Sequence, residues 1–326
     1  MSRVLGIETS CDETGVAVIE GGRRVLINEV ASQIDVHKEF GGVVPEIASR
    51  QHTGVISQLA RRALEVAGGN VDAVAATNGP GLMGSLLVGV CFGKALAYAR
   101  NVPFIPVHHI EGHIFSAFLA EPAPAFPFLA LVVSGGHTQI IDCPRTHAYR
   151  ILGTTRDDAV GECFDKVARL LGLPYPGGPS IQRAAEDGNP EAVAFPRAMR
   201  DAEHLDFSYS GLKTAVLYEL RGGNQHSTAD LAASFQAAAV DILLIKTKQA
   251  LAATGATQLV LAGGVAANHL LRDRLQAELD AAVFLPPFEY CIDNGAMIAA
   301  AGASRLERGL VGDLGSTPNP SLSLEG

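Results

Sequence analysis

The strongest constraint in this sequence is an order of elements that occurs twice. An apolar run at residues 4–8, a polar turn Thr9-Ser10-Cys11-Asp12-Glu13-Thr14, and apolar runs at 15–20 and 25–30 read as strand, turn, strand, strand. Helical periodicity follows over residues 45–66. Residues 128–133 begin the series again, with the turn Ser134-Gly135-Gly136-His137, strands at 138–142 and 149–155, and a helix at 158–171. Short apolar runs bounded by turn formers signal strands, whereas apolar positions three and four apart signal helices. The repeat predicts an α/β chain of two duplicated domains around a central cleft. Two unrelated α/β domains are the alternative reading.

A chain of 326 residues accommodates that duplication. The Pro/Ala stretch at 121–127 is the expected linker, after a helix at 110–120. A final helix at 293–309 is expected to pack back on the first domain, and residues 312–326 read as an irregular tail. The expected domains are therefore 1–108 with 295–326, and 109–294. Hydrophobic residues make up 48% and charged residues 18%, which excludes intrinsic disorder. A net charge of −9 argues against a broad basic face for nucleic acid, though Arg50, His52, Lys166, Arg169 and Arg183 form a candidate local patch. Five cysteines without a CxxC pair point to a reducing compartment rather than a disulfide framework. No secretory signal pattern and no uninterrupted run of 18 apolar residues is found, so a cytoplasmic protein with no membrane association is expected.

Three motifs can carry chemistry. In His108-His109-Ile110-Glu111-Gly112-His113, a helix puts His109 and His113 one turn apart on one face, where two imidazoles can share a transition metal. The alternative is a pair of core or solvated histidines. A zinc protease is disfavoured, because Ile110 stands where His-Glu-x-x-His requires Glu. The turn Ser134-Gly135-Gly136-His137 can aim successive N–H groups at an anion, or be an ordinary hairpin turn. At residues 259–268 an apolar strand runs into Gly263-Gly264, and Asn268 opens a helix. That glycine pair suits a flat ligand with Asn268 offering its amide, while the alternative makes Asn268 a plain N-cap. Asp12 and Asp293 are either helix caps or carboxylates that complete a His₂Asp site with open positions.

Together these residues resemble the TsaD family of tRNA threonylcarbamoyladenosine transferases. Gly6-Ile7-Glu8-Thr9-Ser10-Cys11-Asp12-Glu13-Thr14, the His108–His113 run and Val133-Ser134-Gly135-Gly136-His137 all carry the resemblance. So do Phe164-Asp165-Lys166, Tyr175-Pro176-Gly177-Gly178-Pro179, Phe207-Ser208-Tyr209-Ser210-Gly211-Leu212-Lys213, the Ala262–Asn268 run and Asp293-Asn294. The resemblance implies an actin/hexokinase-like, ribonuclease H-like fold. It implies transfer of threonylcarbamoyl from threonylcarbamoyl-AMP to N6 of adenosine 37 in tRNA. It further implies that His109, His113 and Asp293 hold one divalent transition metal, Fe²⁺ or else Zn²⁺. Val133, Ser134, Gly135, Gly136 and His137 would contact the acyl-adenylate, Asp165 its ribose, and Gly178 and Asn268 its nucleoside. Asp12 would handle the amine proton near the metal. Gln182 departs from the family pattern, in which Asp is frequent. The implied partners are tRNA, a catalytically silent paralogue (TsaB) that pairs through the apolar helix at 84–100, and a small ATPase (TsaE). A silent scaffold paralogue and a kinase or ATPase of the same fold are the competing readings.

Overall fold

The computed structural model describes residues 1–223 and 226–325. The chain divides into two units, Met1–Ala123 with Pro286–Gly326, and Pro124–Leu285.

In the first unit, strands β1 (Arg3–Glu8), β2 (Glu13–Glu20) and β3 (Arg24–Ser32) form an antiparallel meander. Helices α1 (Ile34–Lys38) and α2 (Pro45–Val66) lead to β4 (Ala73–Gly79), and α3 (Met83–Arg100) leads to β5 (Phe104–His108). Tight turns make antiparallel neighbours, whereas the helical crossovers bring β4 and β5 in parallel. The order is β3-β2-β1-β4-β5. Both sheet faces are covered, so the central strands are apolar throughout rather than alternating. Leu5, Ile7, Val74 and Ala76 meet Ile56 and Ala60 of α2 and Val90 of α3. Val4, Ala73 and Ala75, on the other face, meet the last helix of the chain. Helix α4 (His109–Ser116) starts directly from the end of β5.

The second unit repeats this topology. Strands β6 (Phe128–Val133), β7 (Thr138–Arg145) and β8 (Ala148–Thr154) form the meander. Helices α5 (Val160–Leu170), α6 (Gly177–Ala185), α7 (Ser210–Arg221) and α8 (Thr228–Thr254) precede β9 (Gln258–Ala262); α9 (His269–Glu278) then leads to β10 (Ala282–Phe284). The order β10-β9-β6-β7-β8 matches the first sheet strand for strand. Helix α8 is long and apolar enough to cross a membrane, but 67% of its most apolar window is buried inside the unit, as in a core helix. The last helix, α10 (Gly295–Glu307), belongs to the first unit.

Several boundaries differ from the sequence expectation. The helix expected at 110–120 ends at Ser116 and tightens into a single 3₁₀ turn, Ala117–Leu119. Residues 109–123 and 286–294 group with the first unit rather than the second. The cause is packing: Gly112 of α4 lies against Ile298 and Met297 of α10, close enough that a Cβ there would clash with Ile298.

Candidate functional site

Helix α4 is buried along its whole length, so each polar group on it must find a partner. His108 is its N-cap: Nδ1 accepts the Ile110 N–H at 3.1 Å, and Nε2 lies 3.1 Å from the Leu322 carbonyl. Burial pushes this imidazole down to about 4, so it is neutral at ordinary pH. Glu111, fully buried, accepts from Arg305 Nε of α10 at 2.7 Å. On the sequence alone Glu111 had no partner; it clamps the helix.

His109 and His113 stand one turn apart with ring centroids 4.6 Å apart, and Asp293 joins them. Asp293 Oδ1 is 3.1 Å from His113 Nε2 and 3.8 Å from His109 Nε2. One ligand atom from each residue lies within 4.8 Å of the others, a spacing that fits a single ion. Asp293 is not the cap of α10; Asn294 is, with Oδ1 accepting the Met297 N–H. Asp293, one residue before the cap, faces the histidines.

Two observations favour a cation here. His113 is fully buried, yet neither ring nitrogen has a hydrogen-bond partner among the described residues, and its approach to Asp293 is not aligned as one. An orphaned buried imidazole is costly unless something absent from the polypeptide satisfies it. His109 is oriented from behind: Nδ1 is 3.1 Å from Glu8 Oε2 and 3.2 Å from Ser10 Oγ. A proton on Nδ1 serves that carboxylate, so Nε2 is the nitrogen that can give up its proton and turn a lone pair to an ion, the support that metal-ligating histidines usually have. Glu8 is itself fully buried and accepts from the Ser10 N–H and from Thr77 Oγ1 at 2.7 Å. Burial opposes charge on His109, but Asp293 and Glu8 outweigh it and lift the imidazole to about 9.

Asp12 lies in the β1–β2 turn, buried beside Cys11 and Glu13. It is not one of the three grouped ligands. Burial first, then Asp12 and Asp293, push the Cys11 thiol well up and raise the Glu13 carboxyl to about 9. His52 holds this turn, with Nε2 3.0 Å from the Cys11 carbonyl and Nδ1 2.7 Å from Thr14 Oγ1. Fully buried, His52 cannot belong to a basic surface patch. Lys166 of that expected patch is paired with Asp158 and Glu162.

In the second unit, Val133 ends β6 and the Ser134–His137 turn is closed by the Ser134 N–H donating to the His137 carbonyl at 2.8 Å. Gly135 and Gly136 are exposed at its tip, and a Cβ on either would meet only open space. The first turn of α5 abuts this tip: the Gly161 N–H donates to the Ser134 carbonyl at 3.2 Å. A helix N-terminus beside open glycine amides favours an anion. Asp165 accepts the Gly177 N–H at 2.7 Å, which fixes the start of α6, and Gly178 beside it is open.

Asn268 is the cap of α9. Its Oδ1 accepts the Leu271 N–H at 3.0 Å and its Nδ2 donates to Gln236 Oε1 at 2.8 Å, so the expected free amide is committed at both ends. Gln182 accepts the His269 N–H at 2.9 Å and ties α6 to the start of α9. Sequence reasoning missed Glu8, Glu111 and His52 as site residues. Glu8 carried the one available signal, a carboxylate that follows directly on the apolar residues 4–7 of its strand.

Comparison with known proteins adds the family. The fold is shared with HypF in its phosphate- and nucleotide-bound form (15% identity, TM-score 0.65, 94% of this chain); the chain spans 56% of that protein. It is shared with the component A protein of (R)-2-hydroxyglutaryl-CoA dehydratase from Acidaminococcus fermentans (12%, TM-score 0.58, 94% of this chain and 100% of that one). It is also shared with the activator of 2-hydroxyisocaproyl-CoA dehydratase from Clostridium difficile, solved with ADPNP (10%, TM-score 0.55, 94% and 97%). These likenesses establish the actin/hexokinase-like ATPase fold that the family resemblance implies. The family described as TsaD, tRNA N6-adenosine threonylcarbamoyltransferase, matches residues 24–300, a span that holds His109, His113, Asp293 and the Ser134–His137 turn but not Asp12. This chain belongs to the TsaD family.

Proposed function

We propose that the protein transfers the threonylcarbamoyl group from threonylcarbamoyl-AMP to N6 of adenosine 37 in tRNA. The observation that carries this reading is the His109–His113–Asp293 set, with both histidines buried and His109 supported by Glu8, in a chain of this family.

In this proposal the residues take separate tasks. The exposed Gly135 and Gly136 amides receive the phosphate of the acyl-adenylate, with the first turn of α5 adding its favourable dipole. Asp165 and Gly178 line the ribose and nucleoside, and Asn268 acts by shaping α9 rather than by lending its amide. His109, His113 and Asp293 would hold one divalent transition metal, iron or zinc. Such an ion, when bound, supplies Lewis-acid polarisation of an acyl oxygen. The adenine amine forms the new C–N bond at the carbamoyl carbon, the bond from that carbon to the phosphate oxygen breaks, and AMP leaves. Asp12 accepts the proton released from N6.

The partners belong to the same proposal. Along α3, Met83, Leu87, Cys91, Ala95 and Tyr98 form an exposed stripe, with Tyr98 76% exposed. Val90 and Leu86 are fully buried beneath it, so they belong to the core of the unit and not to this stripe. An unpaired, mostly apolar helix face supports pairing with the silent paralogue (TsaB), with the small ATPase (TsaE) joining them. A net charge of −9 makes weak tRNA binding by the isolated chain the expectation. A cytoplasmic site of action follows from a tRNA substrate.

The test is reconstitution with threonylcarbamoyl-AMP, tRNA and both partners, followed by mass spectrometry of the tRNA nucleosides. Threonylcarbamoyladenosine should accumulate in step with AMP. AMP release without modified nucleoside would mean that water, not the tRNA amine, takes the acyl group, and would contradict transfer to tRNA.

A further inference from the structure

Residues 310–325 are mostly exposed, so apolar burial does not explain why they lie against the first unit. Hydrogen bonds do. The Gly312 N–H donates to the Phe104 carbonyl at 2.9 Å, and Lys94 Nζ donates to the carbonyls of Leu314 (3.2 Å) and Ser316 (3.0 Å). Asn78 Nδ2 donates to the Thr317 carbonyl at 3.1 Å, and the Asn319 N–H returns a bond to the Asn78 carbonyl at 2.8 Å. The Gly81 N–H donates to the Pro320 carbonyl at 3.2 Å.

The surface beneath is shaped for this segment. Lys94 is the charge that interrupts the apolar run of α3, and its ammonium is spent on two main-chain carbonyls of the segment. Gly79 ends β4 at φ +152°, and a Cβ there would run into the Asn319 carbonyl oxygen. Only glycine lets the segment pass this close.

The far end of the segment reaches His108. Because His108 Nδ1 accepts the Ile110 N–H, its ring proton sits on Nε2 and is donated to the Leu322 carbonyl. Both nitrogens are thereby committed, so His108 is not a further imidazole ligand. It is the cap from which α4 starts, and the next residue is His109. We propose that residues 312–322 are a positioning strap for the metal-binding helix, acting through the His108–Leu322 hydrogen bond. His108 is a positioning residue: fixing its ring fixes the first turn of α4, and with it the angle at which His109 presents Nε2. This inference rests on the metal reading of His109, His113 and Asp293.

The test is Co²⁺ titration of the metal-free 326-residue chain, read by visible absorption and by competition with a chelator. The unsubstituted protein should show a Co²⁺ band that His113→Ala removes. His108→Ala should weaken Co²⁺ about tenfold, the lower end of what loss of outer support costs a metal site, and should shift the band. Lys94→Ala, which loosens the strap at a point outside the ligand set, should weaken Co²⁺ severalfold and shift the band the same way. If His108→Ala does not fold, Lys94→Ala decides the question. Unchanged affinity and spectrum in a folded Lys94→Ala protein would overturn the strap while leaving the metal site standing. Absence of any His113-dependent band in the unsubstituted protein would overturn the metal reading and this inference with it.

Discussion

Glu8 Oε2 lies 3.1 Å from His109 Nδ1, so a carboxylate at the end of the first strand sets the orientation of an imidazole on α4. The pair is buried on both sides, with Glu8 wholly shielded from solvent. A buried carboxylate is tolerated when its oxygens are filled, and Glu8 meets that condition through Ser10, Thr77 and His109.

Glu8→Gln should therefore keep the fold but weaken metal retention by about 10–100-fold, because the amide cannot hold the Nδ1 proton as a carboxylate does. Metal content after gel filtration, alongside a thermal melt, checks this. Full retention in a folded variant would remove Glu8 from the site.

Metal uptake should be proton-linked. His109 titrates at about 9 in the metal-free protein, held up by Asp293 and Glu8 against burial. Because a ligating imidazole must be unprotonated, uptake near pH 7.5 should release about one proton per ion, and affinity should fall as pH is lowered. The sign for the metal-free fold is opposite. A folded value above the unfolded one near 6.5 gives stabilisation that is complete below about 6.5 and lost as pH rises through about 9. Calorimetry in buffers of different ionisation enthalpy measures the proton release; a buffer-independent heat would contradict it.

Asn268→Ala should lower stability by about 1 kcal/mol or more, since it removes the cap of α9 and unpairs Gln236. Thermal melts and the Michaelis constant for the acyl-adenylate separate the roles. A large rise in that constant with an unchanged melt would restore the direct-contact reading.

Leu87→Glu places a charge in the middle of the exposed α3 stripe, where Leu87 is 43% exposed. The monomer should fold normally and bind metal, but fail to pair with the silent paralogue in gel filtration. Unimpaired pairing would move the interface elsewhere.

The duplicated sheet was legible in the sequence because each repeat announces itself by the same local signals. Strand-length apolar runs around Asp12 and around Gly135-Gly136 are visible without any tertiary knowledge. The histidine pair was legible for the same reason, since His109 and His113 are neighbours on one helix turn. Asp12 and Asp293 were both candidates for the carboxylate, and only the resemblance chose Asp293, because nothing local distinguishes it from a capping residue until Asn294 is seen to hold that place. Glu8, Glu111 with Arg305, and Leu322 with His108 act across 101, 194 and 214 residues of chain, and no local pattern encodes such pairings. Asn268 shows the reverse problem: a residue whose position suggests ligand contact is occupied by its own helix and by Gln236.

The central claim is that the His109–His113–Asp293 set serves threonylcarbamoyl transfer. The most direct measurement is the yield of threonylcarbamoyladenosine in tRNA, by nucleoside mass spectrometry, from reconstituted mixtures containing either the unsubstituted chain or a folded His113→Ala variant freed of metal. The account predicts abundant modified nucleoside with the former, loss of both bound metal and product with the latter, and no recovery on adding metal. Equal yields from the metal-free His113→Ala protein would contradict it.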